Sequence, residues 1–340
     1  MRAVVLVEPG LLAPLELSEP EPPGRGEALI AIRRVGVCGT DIHAFHGRQP
    51  FLAYPRILGH ELGAEVLAVG PGVTAIHAGD RCAVRPYLEC GSCDACRRGA
   101  AHCCMHLRVL GAHVDGGMRE RLIVPADHLH PSATLTFDEL ALVETLSIGA
   151  HAVSRAAPAP GDRVLVLGAG PIGLGVAASL RARGVEPTMA DVNAERLSFA
   201  ARWAGLRTMV VDPTDDPTAA VQAMWDGDLP TLVMDATGNA GSMARTISLA
   251  AHGGRIVFVG LVQGDITFSD PEFHRRELTL SASRNATRAD VDATIALLEE
   301  GTVSIDAWLT DRCTLDDAPS ILPLWASGPS GTIKGLIEVS

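Results

Sequence analysis

The sequence predicts an α/β protein of two domains, one rich in short strands and one built on a doubly wound parallel sheet. Its 340 residues exceed one ordinary domain, since domains usually contain roughly 100–200 residues. The first 150 residues are rich in glycine, proline and short β-type runs, whereas from about Arg155 apolar strands alternate with amphipathic helices. That alternation is typical of a parallel sheet with helices on both faces.

Turn signals separate the predicted strands of the first 150 residues. The strands are Ala28–Val35, Leu62–Val69 and Arg81–Val84, and Gly70-Pro71-Gly72 marks one of the turns. Glycine and proline at such positions end strands rather than extend them. We expect a compact domain whose long loops carry function.

Strand–helix units follow from about Arg155. The predicted strands of this part are Arg163–Leu167, Thr188–Ala190, Thr231–Asp235 and Arg255–Val259, and its predicted helices are Ile172–Arg183 and Ala194–Ala204. After about Ala286 the chain adds a helix, Ala289–Glu299, and closes with a strand-like segment, Gly335–Val339.

The charge balance argues against two classes of partner. Lys+Arg 28 against Asp+Glu 40 gives a net charge of −12, and an acidic chain has no general attraction for nucleic acid or anionic lipid. Val164–Leu180 is an uncharged stretch of 17 residues, but it is short for a membrane span and glycines interrupt it. With no targeting signal at its start, we expect a soluble, cytoplasmic protein.

A glycine-rich turn predicts a dinucleotide site. Gly168-Ala169-Gly170-Pro171-Ile172-Gly173 directly follows the strand Val164–Leu167 and opens a helix. In that context Gly168 allows the tight turn, Gly170 lets pyrophosphate approach the backbone, and Gly173 lets helix and strand pack closely. The alternative is a glycine-rich turn without a ligand.

An acidic residue after the next strand predicts which dinucleotide binds. Asp191 lies 18 residues after Gly173, where a carboxylate binds the ribose hydroxyls and repels a 2′-phosphate. We therefore expect NAD rather than NADP, with Arg196 stacked beside the adenine.

One loop contains a cluster of cysteines. Five of the eight cysteines lie within 15 residues, and four of them follow the spacing Cys90-x2-Cys93-x2-Cys96-x7-Cys104. Four thiolates so spaced match a closed, tetrahedral structural zinc site, and clustered cysteines in a large chain without a leader are more often ligands than disulfides. Spacing alone leaves other ligands open near the last position: Cys103, His102 and His106.

A second set of zinc-type ligands lies nearer the start. Cys38-Gly39-Thr40-Asp41-Ile42-His43 and Gly59-His60-Glu61 contain a thiol, imidazoles and carboxylates. A catalytic zinc takes such ligands when it keeps one position open for water or substrate. As isolated residues, His43 and His60 would be ordinary surface or core histidines, so spacing alone does not decide this site.

Taken together, these motifs resemble one enzyme family. Cys38–Asp41, Gly59–Glu61, the four-cysteine loop and Gly168–Gly173, in this order, are similar to the zinc-dependent medium-chain alcohol and polyol dehydrogenases. The resemblance implies a GroES-like catalytic domain, residues 1–150 and 286–340, and a Rossmann NAD-binding domain, residues 151–285. It also implies one catalytic and one structural zinc ion in each subunit.

The resemblance implies which residues bind the catalytic zinc. Cys38 and His60 match two of the family's ligands by position. Glu144 stands where the alcohol branch has a third cysteine and where sorbitol- and threonine-dehydrogenase-like members have glutamate, which points to polyol-type substrates. Glu61 is the alternative ligand, and whether Glu61 or Glu144 binds zinc directly or through water stays open.

The family's reaction follows from the same resemblance. Zinc lowers the pKa of the substrate hydroxyl, Thr40 takes the hydroxyl proton, and the cofactor ribose passes it to His43, which releases it to solvent. The same carbon then gives its hydride to NAD, whose nicotinamide carries the redox chemistry.

Further contacts are implied by matching position. Arg284 and Asn285 are expected at the substrate, where Arg284 binds a sugar-acid carboxylate or a hydroxyl, unless it is a structural arginine. The remaining expected cofactor contacts lie near the nicotinamide or the pyrophosphate: Thr237, Gly260, Leu261 and Lys334. For Lys334 the alternative is an exposed loop lysine.

We therefore expect an NAD-dependent zinc dehydrogenase acting on a secondary alcohol of a polyol or of a hexonate such as L-galactonate. The alternative is another zinc alcohol, sorbitol or threonine dehydrogenase. A non-catalytic zinc- or nucleotide-binding relative would have lost ligand or relay residues, and this chain has them all. Polyol-type relatives imply a homo-tetramer and simple alcohol dehydrogenases a dimer.

Overall fold

Two units make up the part of the chain that the structure, a computed structural model, describes, which is residues 1–327 and 332–340. The first unit comprises Met1–Glu144 with Thr287–Ser340, and the second comprises Thr145–Ala286.

The strands, in chain order, are β1 (Arg2–Glu8), β2 (Leu11–Glu16), β3 (Glu27–Val37), β4 (Glu61–Val69), β5 (Arg81–Val84), β6 (Tyr87–Leu88), β7 (Arg108–Val109), β8 (Arg121–Pro125), β9 (Leu129–Pro131), β10 (Val164–Leu167), β11 (Pro187–Asp191), β12 (Arg207–Val210), β13 (Leu232–Asp235), β14 (Arg255–Phe258), β15 (Thr279–Ala282), β16 (Leu309–Thr314) and β17 (Lys334–Glu338). The helices, in chain order, are α1 (Gly39–Phe45), α2 (Asp94–Arg97), α3 (Phe137–Ala156), α4 (Pro171–Arg181), α5 (Ala194–Ala204), α6 (Thr218–Ala223), α7 (Ala240–Leu249), α8 (Asp270–Arg275), α9 (Arg288–Glu299) and α10 (Ala318–Ala326).

A seven-stranded mixed sheet forms the centre of the first unit, in the order β16-β17-β3-β4-β5-β9 with β8 also paired to β3. The long strand β3 is antiparallel to β4, β8 and β17. Alternate residues of β3 and β4, among them Ile30, Ile32 and Val66, are fully buried in the core, and each such side chain stabilises the fold by about 1.5–3 kcal/mol relative to exposure. The pairing places Gly36 of β3 opposite Glu61 of β4.

A six-stranded parallel sheet forms the second unit, in the order β12-β11-β10-β13-β14-β15. Every neighbouring pair in it is parallel. Relative to β10 as the first strand, the order is 3-2-1-4-5-6, which is typical of dinucleotide-binding domains. The order reverses beside β10, so the carboxyl ends of β10 and β13 border the crevice where such folds bind ligands.

The predicted fold class is confirmed, and several elements have the predicted bounds. Arg81–Val84 is a strand and Ala194–Ala204 a helix, as expected. The helix α3, whose 20 residues begin at Phe137, was not predicted. The division between the two units falls within α3, between Glu144 and Thr145, whereas the expected boundary lay at 150. None of the helices among the described residues is long and apolar enough to cross a membrane.

Candidate metal centres and dinucleotide site

Two segments of the first unit bring zinc-type ligands together. Cys38 lies between the end of β3 and the start of α1, and His60 immediately precedes β4. The carboxylate of Asp41 accepts hydrogen bonds from the backbone N–H of Cys38 (2.9 Å) and of Gly59 (3.3 Å), so it ties the two segments to each other. One potential ligand atom from each of Cys38, His60 and Glu61 lies within 4.8 Å of the other two.

The chemistry of this group fits a zinc ion. A thiol, an imidazole and a carboxylate are ligands of catalytic zinc sites, and His60 and Glu61 are 6% and 0% exposed. The Nδ1 atom of His60 is buried and forms no hydrogen bond with any described residue; it lies 3.8 Å from a carboxylate oxygen of Asp41. The side chains therefore match a metal centre better than an ordinary polar cluster, whose buried atoms would be hydrogen-bonded.

The electrostatics of the cluster also favour a bound cation. Burial raises the pKa of Asp41 and of Glu144, because it disfavours their charged forms. Burial alone would lower the pKa of His60, but the charges of Asp41 and Cys38 outweigh it and raise that pKa well above its usual value. The anionic groups around His60 thus favour a positive charge at this position. A divalent cation can supply the same positive charge.

Glu61 has a buried cationic partner. Its Oε1 accepts a charged hydrogen bond from Nζ of Lys334, which is 2% exposed at the start of β17. Burial lowers the pKa of Lys334, but the carboxylate of Glu61 outweighs this and raises it. A side chain at Gly36 would collide with the Glu61 carboxylate, so glycine there makes room for it.

For Lys334, the alternative of an exposed loop lysine is wrong, because the side chain is buried against Glu61. A contact with the cofactor pyrophosphate stays a prediction.

Glu144 lies outside the set of mutually close ligand atoms but within their electrostatic reach. Its charge raises the pKa of His60. Its Oε1 accepts a hydrogen bond from the hydroxyl of Tyr87, and both residues are buried. Burial, together with the Glu144 carboxylate, raises the pKa of Tyr87 well above its usual value, so this phenol stays protonated and donates.

The cysteine loop forms a second group of ligands in the first unit. The sulfur atoms of Cys90, Cys93, Cys96 and Cys104 all lie within 4.8 Å of one another. Cys93 Sγ is 3.5 Å from Cys96 Sγ and 3.8 Å from Cys104 Sγ. Of the candidates left open for the last position, the structure places Cys104 in the group, while Cys103 is exposed.

Backbone N–H groups donate hydrogen bonds to several of these sulfurs. Cys104 Sγ accepts hydrogen bonds from the N–H of Cys90 and of His106, each at 3.3 Å. The N–H groups of Ser92 and Cys93 lower the pKa of Cys90 to about 6. Metals bind the thiolate form, and a tetrahedral ion would have to displace the proton of Cys96, whose pKa burial and the neighbouring thiols raise to about 12.

The glycine turn of the second unit lies beside the point where the strand order reverses. Gly168 follows β10 with φ +98°, a conformation that favours glycine. A side chain at Gly173 would collide with the carbonyl oxygen of Gly168, so only glycine allows this approach of helix and turn. Gly170 is the N-cap of α4, with Pro171 at its first position and Ile172 next. No side chain from the described part of the chain caps this helix end, which leaves its N–H groups to bind phosphate.

Asp191 ends β11 beside that turn. Its two carboxylate oxygens accept hydrogen bonds from the N–H of Ala169 (2.6 Å) and of Asn193 (2.8 Å). These bonds fix an anion at the strand end, where the sequence predicts a ribose contact. Arg196 is exposed in the first turn of α5, and its Nη1 lies 3.9 Å from the position that a Cβ on Gly170 would take. Its guanidinium thus lies beside the phosphate-binding turn, and the expected adenine contact stays a prediction.

The other predicted cofactor residues follow the next strands. Thr237 comes after β13, and its N–H and hydroxyl both donate to the buried Asp235 carboxylate (2.9 and 2.6 Å). Gly260 follows β14 and approaches the backbone of Gly238 closely. Leu261 is 69% exposed.

The predicted relay and substrate residues lie in two places. Thr40 and His43 are both in α1 of the first unit, directly after Cys38, and His43 is exposed. Arg284 and Asn285 follow β15 in the second unit, and Asn285 has φ +56°. Arg284 is exposed and forms no hydrogen bond or ion pair within the ranges 1–327 and 332–340.

Sequence reasoning missed two residues of the first metal centre. Asp41 has a signal in the sequence, because an acid three residues after Cys38 can cap the new helix and reach its N–H. Tyr87 has none, since its contact with Glu144 joins residues 57 positions apart.

Comparison with known proteins agrees with this geometry. The chain matches the alcohol dehydrogenase GroES-like domain over residues 24–134 and the zinc-binding dehydrogenase domain over residues 171–300. It is 46% identical to L-galactonate-5-dehydrogenase of Escherichia coli K12 over 291 residues, covering 85% of each chain. It is 35% identical to D-altritol 5-dehydrogenase of Agrobacterium fabrum, covering 97% of this chain and 96% of that protein.

A solved structure extends the likeness to the whole fold. The alcohol dehydrogenase rspB from E. coli CFT073, complexed with NADH, superposes with a TM-score of 0.92 at 29% identity, covering 99% of both chains. Both metal-ligand groups lie within the GroES-like match. The chain therefore belongs to the zinc-dependent medium-chain alcohol dehydrogenase family, as its motifs predict.

Proposed function

We propose that this dehydrogenase oxidises a secondary alcohol of a hexonate such as L-galactonate, or of a polyol, with NAD as acceptor. The observation that carries the proposal is the convergence of Cys38, His60 and Glu61 within 4.8 Å in a buried, anionic cluster. A zinc ion held there would act as a Lewis acid that lowers the pKa of an alcohol hydroxyl.

The ligand set consists of Cys38 and His60 with a carboxylate from Glu61 or Glu144. Glu61 is close enough to its neighbours to share an ion, but its Oε1 is held by Lys334. Glu144 has its Oε1 held by Tyr87. We assign Asp41 to positioning, because it fixes both ligand segments through their backbone. Such outer-shell carboxylates orient ligands and tune metal affinity.

The proton of the alcohol leaves through α1. Thr40 accepts it by hydrogen bond and passes it towards His43. Partial burial of the imidazole, aided by the charges of Arg48 and His46, lowers the pKa of His43, which favours the neutral form that can accept a proton. Because His43 is exposed, the proton can continue to solvent.

Two features support the substrate class. The relatives at 46% and 35% identity act on a hexonate and a polyol, as their names state. Arg284 is an exposed guanidinium without a partner among the described residues, and guanidinium groups bind carboxylates bidentately. A hexonate offers both a carboxylate and secondary hydroxyls.

The cofactor, assembly and location follow from the same reasoning. A carboxylate fixed at the end of β11 favours NAD over NADP, because it would repel a 2′-phosphate. We propose a homo-tetramer, as in polyol-type members, rather than a dimer. Four clustered thiols need a reducing environment to stay available to metal, which favours the cytoplasm.

A substrate panel tests the proposal. Hexonates, hexitols, pentitols, threonine and simple alcohols are offered with NAD and with NADP, and NADH absorbance is followed. We expect the highest kcat/KM for a hexonate or polyol with NAD. Turnover of simple alcohols alone would contradict the substrate class, and an inactive protein that still contains two zinc ions would contradict the enzyme itself.

A further inference from the structure

We propose that Tyr87 is a positioning residue of the catalytic metal centre, which holds the Glu144 carboxylate in the orientation that the centre requires. The inference rests on the proposed function, because it takes Cys38 and His60 to be ligands of a metal ion. Tyr87 itself need not touch the ion, the substrate or the cofactor; it acts through Glu144.

The contact that carries the inference is buried at both ends. Tyr87 is 3% exposed and Glu144 is 8% exposed, and the phenol hydroxyl donates to Oε1 of the carboxylate. The phenol is the donor because an ionised carboxylate can only accept. The two residues come from different elements, β6 and α3, so the bond fixes one element relative to the other.

The backbone of Tyr87 is also fixed, which makes its hydroxyl a rigid donor. Its carbonyl oxygen lies 3.2 Å from Nη1 of Arg85 and 2.9 Å from Nε2 of His128. Arg85 forms a bidentate pair with Glu89 at 2.9 and 3.0 Å, and His128 Nε2 lies 3.2 Å from the same carboxylate. Arg85 and His128 are almost fully buried. These two buried side chains and the half-buried carboxylate of Glu89 thus hold the strand that presents the phenol.

The four-cysteine loop follows this strand in the chain. Glu89 contacts both Arg85 and His128. It immediately precedes Cys90, the first candidate ligand of the cysteine loop. The segment from 85 to 90 therefore connects one candidate metal centre to the other through successive residues. The hydrogen bonds at the start of the cysteine loop thus also restrain the strand that carries the Tyr87 phenol.

Glu144 is the group whose orientation matters. By position it matches a ligand of the family's catalytic zinc, yet its oxygens are outside the set of atoms within 4.8 Å. A carboxylate at such a distance either joins the ligands or stays outside them, according to its side-chain rotamer. The Tyr87 hydroxyl selects between these positions. Losing an outer-shell bond of this kind typically costs about 10–100-fold in metal affinity or activity.

Tyr87→Phe tests the inference, because it removes the hydroxyl and keeps the ring. The variant is prepared as the zinc-loaded full chain, and release of each zinc to a chelator is timed. We expect one of the two zinc ions to leave about 10–100-fold faster than in the wild type, with the other unchanged. In the cobalt-substituted protein, we expect the ligand-field absorption of the first centre to shift.

The chain offers a matched control. It has only two tyrosines, and the hydroxyl of the second, Tyr54, donates to the backbone carbonyl of Ala44 at 2.6 Å. Tyr54→Phe removes the same atom from the same unit, so it should lower stability without changing the release of zinc or the cobalt spectrum. A shift of equal size in both variants would overturn the inference.

A double-mutant cycle separates positioning from general stability. If Tyr87 acts through Glu144, Tyr87→Phe should have little further effect on zinc release in a Glu144→Gln background. An undiminished effect of Tyr87→Phe in that background would overturn the inference. So would a Tyr87→Phe single variant whose zinc release and cobalt spectrum are identical to those of the wild type. A wild type that binds zinc only in the cysteine loop would instead contradict the proposed function.

A further measurement leaves Tyr87 in place, in case Tyr87→Phe does not fold. The zinc-loaded protein is labelled with 3-fluorotyrosine, and its two fluorine resonances are assigned with Tyr54→Phe. Glu144→Gln should shift the Tyr87 resonance and leave that of Tyr54 unchanged. A Tyr87 resonance that does not respond to Glu144→Gln would overturn the inference.

Discussion

Glu61 and Lys334 form an ion pair that is closed off from solvent, with the two side chains 0% and 2% exposed. The pair joins β4 to β17 across 273 positions of sequence, and Lys334 is the single lysine of the chain. Two charges in such a position stabilise the fold only while both are present, because either alone is left uncompensated in a region of low dielectric constant.

Lys334→Met should lower the free energy of unfolding of the metal-free protein by about 3–5 kcal/mol, the usual effect of breaking a buried pair. Urea denaturation at neutral pH measures it. The control is Lys334→Met combined with Glu61→Gln, which removes both charges and should recover most of the loss. A double variant as unstable as the single one would show that the charge of Glu61 is not the cause.

The close approach of Gly36 to the Glu61 carboxylate leads to a second prediction. A methyl group at this position would meet the Glu61 side chain across the strand pair. Gly36→Ala should therefore lower the free energy of unfolding by about 1–3 kcal/mol, as overpacking does, and weaken zinc binding in the first centre. Gly39→Ala is the control for stability, because a methyl group there meets open space. Equal unfolding midpoints for the two variants would contradict the prediction.

At the scale of elements, the sequence predicts strands and helices well where local signals agree. The helix α5 has its predicted bounds because Asn193 caps its start and Gly205 ends it in a left-handed conformation. The helix α3 was missed because its residues from Leu140 to Val153 are nearly all buried, so no amphipathic stripe marks it. A local signal was present, since Thr136 and Glu139 form a capping box by reciprocal hydrogen bonds.

The first turn of α3 is fixed by Asp138, which pairs with Arg34 of β3 (2.7 Å) and Arg312 of β16 (2.6 Å). Burial alone would raise the pKa of Asp138, but the two arginines outweigh it and lower the pKa below 3.8. The stabilisation is therefore complete at neutral pH, where the carboxylate is charged in both the folded and the unfolded state. It is lost as the pH falls below 3.8 through the folded pKa.

Asp138→Asn should accordingly destabilise the protein at pH 7 by about 1 kcal/mol, since partial exposure reduces the effect of such pairs. Denaturant unfolding should show the difference shrinking towards zero in strong acid, as the wild-type carboxyl is protonated. Asp94→Asn is the control, because its pair with Arg98 is exposed on both sides and should contribute little. A destabilisation of Asp138→Asn that does not change with pH would contradict this assignment.

At the scale of the whole molecule, the sequence predicts functional motifs that lie within one short segment. It does not predict contacts between side chains that are far apart in the sequence. The glycine turn and the four cysteines each lie within one short segment, so spacing alone described their chemistry. Asp41 acts on a ligand segment 18 positions away and Tyr87 on a carboxylate 57 positions away. Such contacts depend on the pairing of β3 with β4 and on the packing of α3, which no local pattern encodes.

The two chemistries of the reaction belong to different units, so single substitutions should remove them separately. Cys38→Ser changes a candidate ligand in the first unit, and it should remove one of two zinc ions per chain while NADH still binds. Gly173→Ala forces the glycine turn of the second unit apart, and it should weaken NADH binding by at least about 10-fold, since 1.4 kcal/mol of lost contact suffices, while both zinc ions stay. Metal analysis and NADH fluorescence titration measure the two effects, and turnover should fall in both variants because hydride transfer needs alcohol and nicotinamide together. If either substitution removed both zinc and NADH binding, the assignment of one chemistry to each unit would be wrong.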